Sequence, residues 1–132
     1  MADDHRLEGW AVESIPQDHL LFMRVHRNNV AGGELAPVAL RDHAPPEGGR
    51  AALSTDWSKY STPEQTLARA KHPEANGVVR MVVGRVRAIP GLVVEHAPLP
   101  DNRAHTDVIG DKKDPEIRVL LTRACEWVIR VA

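Results

Sequence analysis

Apolar and polar residues alternate along residues 19–26 (HLLFMRVH), placing Leu21, Met23 and Val25 on one side of an extended chain and Leu20, Phe22, Arg24 and His26 on the other. A period of two predicts a strand, with the Leu21, Met23, Val25 side against the core. Residues 78–83 (VVRMVV) form the most strand-like run, β-branched and bounded by Asn76-Gly77 and Gly84, and are expected at the centre of a sheet. Residues 51–55 are expected to be short and extended, leading through residues 56–60 towards a helix. Residues 85–89 are expected to make one helical turn before Pro90-Gly91, residues 92–96 to restart an extended segment, and residues 105–109 to add a further strand up to Gly110.

Two segments carry helix signals. Thr62 can accept from the backbone N–H of Gln65 while Gln65 reaches back, Pro63 has no N–H to waste at the first helical position, and Glu64 suits the positive helix end. A helix is therefore predicted from Pro63 to about Lys71, stopped before Pro73. Near the C-terminus Asp114 caps and Pro115 opens a helix whose Ile117, Leu120, Leu121, Ala124, Cys125 and Val128 recur at three and four residue spacing, with Arg118, Arg123, Glu126 and Arg130 on a solvated face. Trp127 lies beside that stripe; exposed, it would mark a partner surface.

These elements predict an α+β fold of two layers, a small mixed or antiparallel sheet covered by the amphipathic C-terminal helix and a shorter middle helix. One domain is expected over residues 1–132, with residues 1–12 loosely attached, although Trp10 and Val12 are able to pack as a short element. Residues 28–50 are dense in turn formers (Asn28, Asn29, Gly32, Gly33, Pro37, Pro45, Pro46, Gly48, Gly49) and are expected to form a long loop region with little regular structure.

Composition narrows the setting. With 42% hydrophobic and 27% charged residues the chain is ordinary for a globular protein, and no apolar run approaches the roughly 18 to 20 residues that span a bilayer. The polar, acidic start lacks the features of a secretory signal, and a single cysteine, Cys125, rules out an intrachain disulfide, so a cytoplasmic address is expected and Cys125 is read as a structural thiol. A net charge of −1, only five aromatic Trp, Tyr and Phe residues, and no continuous stripe through Arg24, Arg27, Arg80, Arg85 and Arg87 argue against a nucleic-acid partner.

Seven histidines invite a metal, but there is no HExxH, His-x-His or cysteine pair, and His5, His43 and His72 sit in polar stretches; no metal and no cofactor is expected. The chain also lacks a Gly-x-Ser-x-Gly elbow, a phosphate loop and a dinucleotide fingerprint. The most unusual stretch is residues 98–110, where a polar cluster sits between a rigid proline turn and a strand. There His105 is the candidate catalytic acid or base, with Asn102 and Thr106 as neutral hydrogen-bonding groups. Arg24 and His26 on the first strand form a second group, able to fork onto phosphate or carboxylate. Ser54, Thr55 and Asp56, hydroxyls and a carboxylate shortly before a helix start, form a third.

In order, Leu21-Phe22 with Arg24-Val25, Leu53-Ser54-x-Asp56, Thr62-Pro63-Glu64-x-Thr66 and Pro98-Leu99-Pro100-x-Asn102-x-Ala104-His105-x-x-Val108-x-Gly110 resemble a family of small uncharacterised bacterial proteins over about residues 19 to 130. That resemblance implies a bacterial source and no particular chemistry. A more distant likeness is to ADP-ribosyltransferase-like folds, with Arg24 and Ser54-Thr55 at matching places and Asp56 where those enzymes carry another serine. It implies transfer from an NAD-like substrate, with Glu95, Asp101, Asp107 and Glu116 as candidates for the late carboxylate or His105 in its stead.

Two functions are expected from this reading. The first is a binding or interaction component of a bacterial multi-protein system, joined to a protein partner or to its own copy. The alternative is an enzyme acting on a nucleotide or NAD-like ligand, with Arg24 on phosphate, Ser54 and Thr55 orienting ribose or amide groups, and His105 as acid or base.

Overall fold

A computed structural model describes residues 9–43 and 51–132. The expectations for residues 1–8 and 44–50 lie outside the described residues. Six strands build the main sheet: β1 (Leu20–His26), β4 (Leu53–Trp57), β5 (Asn76–Val82), β6 (Val93–His96), β7 (His105–Ile109) and β8 (Glu126–Ile129). Their order is β6-β7-β4-β1-β5-β8, and every pairing is antiparallel. A separate hairpin joins β2 (Val30–Ala31) to β3 (Glu34–Leu35). The α+β class expected from the periodicities is what the chain adopts.

The core lies on one face of the sheet. Leu21, Met23 and Val25 of β1 meet Leu53 and Trp57 of β4, Val79 and Met81 of β5, Val94 of β6 and Val108 of β7, all buried. Helix α2 (Val83–Arg87) brings Val83 and Val86 to this layer, and helix α3 (Pro115–Ala124) brings Leu121. The remaining helix, α1 (Pro63–Ala68), is held on the opposite face, because its Thr66 bonds to Asp56 and Arg24, which point away from the core. The helices therefore divide between the two faces instead of forming the single covering layer expected. At the start of α1 the reciprocal Thr62–Gln65 bonds form as the sequence requires, at 3.1 and 2.9 Å. The helix ends at Ala68, short of Lys71, with Arg69 as its cap.

The C-terminal segment departs most from expectation. Helix α3 stops at Ala124, Cys125 turns into extended backbone (φ −85°, ψ 142°), and residues beyond it form β8 against β5. Leu120 and Val128, expected in one buried stripe, are 39% and 40% exposed. The cause is tertiary: β5 has an unpaired edge, Trp127, Val128 and Ile129 favour extended backbone, and the ladder supplies bonds that a longer helix would leave β5 without. Trp127 is half-buried against the core, with the Arg130 guanidinium over its ring. Arg118, expected on the solvated face, donates through Nε to the Leu40 carbonyl.

Other boundaries shift for similar reasons. Strand β4 runs on through Asp56 and Trp57, β5 begins two residues early and lies between β1 and β8, and the helical turn expected at 85–89 begins at Val83. The loop region of residues 28–50 holds more structure than expected. Gly32 and Gly33, both at positive φ (59° and 80°), turn the β2–β3 hairpin, and Leu40 is fully buried in the core. Val12 is 73% exposed and does not pack, whereas Trp10 lies under the Arg103 guanidinium at 4.7 Å.

Candidate functional site

Strands β1 and β4 pair only through Leu21–Trp57 and Phe22–Asp56. Beyond that point β1 continues with β5 as far as His26, and β4 continues with β7 back to Leu53, so the two middle strands part. A cleft of about 700 Å³ opens on the face away from the core, lined by Phe22, Arg24, His43, Ser54, Asp56 and His105, with Thr66 and Arg69 of the α1 region and the 99–102 turn closing its sides. Its size falls within the range of small-molecule sites.

Parity within the strands decides which side chains arrive. In β7, His105 and Asp107 share the cleft face, and across the ladder Asp56 stands opposite His105 and Ser54 opposite Asp107. Ser54, His105 and Asp107 are thereby brought together from two strands. The His105 Nδ1 lies 2.8 Å from the Ala97 carbonyl oxygen, which can only accept, so Nδ1 carries the proton. Nε2 then presents a lone pair, 3.4 Å from Ser54 Oγ and 3.7 Å from Asp107 Oδ1.

Beside this group Asp56, 4% exposed, is a junction. Its Oδ1 accepts from Asn102 Nδ2 at 2.9 Å, and its Oδ2 accepts from Thr66 Oγ1 at 2.8 Å and from Arg69 Nη1 at 2.9 Å. Arg69 also donates to Ser61 Oγ, and Asn102 Oδ1 accepts the Ala104 N–H, so the buried carboxylate is both neutralised and fully bonded. Arg24 gives one N–H to the Thr66 carbonyl at 3.1 Å and has no acidic partner among the described residues. Among the described residues most of its five donors are left without an acceptor and can turn to a ligand.

His43 completes the wall. Its Nδ1 accepts the Ser54 backbone N–H at 3.3 Å, which leaves the proton on Nε2. Although His43 is exposed, the desolvation of its ring at the cleft wall, with the nearby Arg41 and Arg24 cations, holds its pKa below the ordinary histidine value, which favours the neutral ring with Nε2–H as an uncharged donor.

The other sequence candidates lie elsewhere. Thr55 reaches the cleft wall, but its hydroxyl donates to the Thr106 carbonyl at 2.9 Å. Thr106 is fully buried and donates to the Ala104 carbonyl. His26 caps the short 3-10 turn that follows β1, accepting the Asn28 N–H. Arg80 pairs with Glu126, and Arg87 donates to the Ile15 carbonyl and Gln17, so the arginines weighed for nucleic acid do not converge. Arg69 was not singled out from the sequence. Its signal was the Thr66-x-x-Arg69 spacing, which sets both residues on one side of a capped helix.

Cys125 donates its S–H to the Leu121 carbonyl, and burial pushes its thiol pKa up to about 12, in keeping with a structural role. Among the described residues no group of three or more His, Cys, Asp or Glu is placed to hold a metal ion, and no helix is long and apolar enough to cross a membrane. No family model matches the chain, and no curated protein or solved structure matches it.

Proposed function

We propose that this chain binds a small phosphate-bearing ligand of nucleotide size in the cleft between β1 and β4. The observation that carries the reading is the convergence, in one cavity of about 700 Å³, of an arginine without an acidic partner among the described residues and a set of neutral donors and acceptors from Ser54, His43 and His105. Arg24 would fork onto the phosphate, and Ser54 and His43 would bond the polar groups of the sugar or base. The Asp56–Arg69–Asn102 network fixes the walls in advance, so little ordering is required on binding. Of the residues that carry the likeness to NAD-transfer folds, Arg24 and Ser54 both line the cleft, whereas Thr55 has its hydroxyl committed to the main chain.

A thermal-shift screen against AMP, ADP, ATP, cyclic nucleotides and NAD tests this. A ligand at about 100 times its Kd adds roughly 2.7 kcal/mol, which raises the melting temperature by about ten degrees in a domain of this size. That shift is expected with at least one nucleotide and is expected to vanish in Arg24→Ala. No shift with any of them refutes the reading.

A second reading, an interaction component joined to a protein partner or its own copy, is favoured by the sheet edge. Strand β8 is one of the two edge strands, its Val128 is 40% exposed, and among the described residues no strand pairs with its outer side. Light scattering of the wild type and Val128→Lys distinguishes the two: a dimer lost in the variant supports association, and a monomer in both removes the self-association form.

A further inference from the structure

We infer that Ser54 is a nucleophile, activated by His105, and that the cleft cleaves an acyl ester carried on its anionic ligand. The inference rests on the cleft being a ligand site. Nδ1–H of His105 is fixed by the Ala97 carbonyl, so the imidazole cannot turn its protonated nitrogen to Ser54, and Nε2 faces the hydroxyl at 3.4 Å. Such contacts are long in unliganded sites and tighten with substrate. Asp107 Oδ1 lies on the same face of the sheet, 3.7 Å from Nε2.

The step balances with water as the only co-reactant. Ser54 Oγ bonds to the acyl carbon as its proton passes to Nε2, and the carbonyl π pair moves onto oxygen. When that pair returns, the C–O bond to the alcohol breaks; the alcohol oxygen leaves with the bonding electrons and takes the proton from Nε2. Water, losing a proton to Nε2, then releases the acid and restores Ser54 Oγ–H. The oxyanion of each tetrahedral intermediate needs a donor, and the Nε2–H of neutral His43, in the same cleft and without a partner among the described residues, is available to supply it. An acyl group suits the site better than a phosphoryl group. Phosphoryl transfer spreads negative charge over three oxygens and relies on several cations, whereas of the two arginines lining the cleft Arg69 is neutralised by Asp56, which leaves Arg24 as the one without an acidic partner among the described residues.

The test is covalent labelling of the full chain with an alkyl fluorophosphonate, read by intact mass and peptide mapping. One adduct on Ser54 is expected, absent in Ser54→Ala, with a labelling rate that rises with pH through a single ionisation. His105→Gln, whose amide can still donate to Ala97 but carries no basic nitrogen, should slow labelling at least about a hundredfold and abolish that pH profile. Absence of an adduct in wild type that melts cooperatively, or equal labelling and an unchanged pH profile in folded His105→Gln, overturns the proposal. The two readings fail separately. A nucleotide that stabilises the protein while Ser54 stays unlabelled leaves binding standing and removes the nucleophile, whereas labelled Ser54 with no stabilising nucleotide does the reverse.

Discussion

Replacing Asp56 by Asn changes no more than one atom's identity and the charge, yet it should cost a large part of the stability of the protein. The carboxylate is 4% exposed and accepts three bonds, from Asn102 Nδ2, Thr66 Oγ1 and Arg69 Nη1. An amide at position 56 can keep its oxygen towards Thr66 and Arg69, but its NH₂ then faces the NH₂ of Asn102. Asn102 cannot flip, because its oxygen already accepts the Ala104 N–H at 3.1 Å. One bond to a charged acceptor is lost, worth about 1.5–3 kcal/mol, and the Arg69 bond weakens as its counter-charge goes, so the sum is about 3 kcal/mol. With an unfolding entropy near 2.1 cal/mol/K per residue over 132 residues, that is a fall of roughly 10 to 12 degrees in melting temperature.

The assay is calorimetry of Asp56→Asn, Asn102→Asp and the double variant. In the double variant the amide now at position 56 can donate to the carboxylate now at position 102, which still accepts the Ala104 N–H, so part of the loss should return. A coupling of about 1 kcal/mol or more between the two sites is expected. A loss below about 1 kcal/mol in Asp56→Asn, or strict additivity of the pair, refutes the view that Asp56 organises the cleft wall.

Three further outcomes follow from the same geometry. Gly77→Ala puts a Cβ 2.5 Å from the Ile129 carbonyl oxygen and 2.9 Å from the Val131 nitrogen; backbone must move, so about 2 kcal/mol or more should be lost in urea unfolding, with faster amide exchange across residues 126–129. Cys125, with its pKa raised to about 12, should react with iodoacetamide at pH 8 roughly fiftyfold more slowly than an exposed thiol, recovering in denaturant; equal rates would contradict its burial. His43 has a lowered folded pKa, so below its ordinary value of 6.5 the unfolded chain binds the proton first and stability falls as pH falls. The stability gap between wild type and His43→Gln should therefore narrow between about pH 7.5 and about pH 5.5, and a constant or widening gap counts against a desolvated neutral ring.

Local chemistry made some of this structure legible in the sequence. Thr62-Pro63-Glu64-Gln65 could be read as a helix start because the bonds it forms lie within four residues, and the core face of β1 because a period of two needs no partner to be seen. The end of α3 was not legible. Residues 117–128 satisfy a helical spacing, and what converts the last of them to strand is the open edge of β5, nearly fifty residues upstream, together with a glycine at 77 that lets the chain approach. The α+β class survives that error because the lost helical turn becomes another strand of the same sheet.

The site shows the same division with a sharper lesson. Asn102, His105, Ser54 and Arg24 could be chosen as candidates because each is a polar residue on or beside stiff backbone, and they line one cleft. Strand parity, also readable in advance, separates His105 from Thr106 and Ser54 from Thr55, since neighbours in a strand point to opposite faces. What no local pattern gave was the reason the cleft exists. Phe22 and Asp56 are the last pair holding β1 to β4 on this side, and a sheet that parts in its middle exposes polar edges that must be bonded or filled. Asp56 sits at that fork and ties β4 to α1 through Arg69 and to the 99–102 turn through Asn102, so one buried charge holds three walls apart. A purely structural sheet would close there with apolar residues at lower cost, since a buried ion pair seldom outperforms hydrophobic packing. A charged junction at the fork is what the proposed ligand site requires, because it keeps open the space beside it that Ser54 and His105 line.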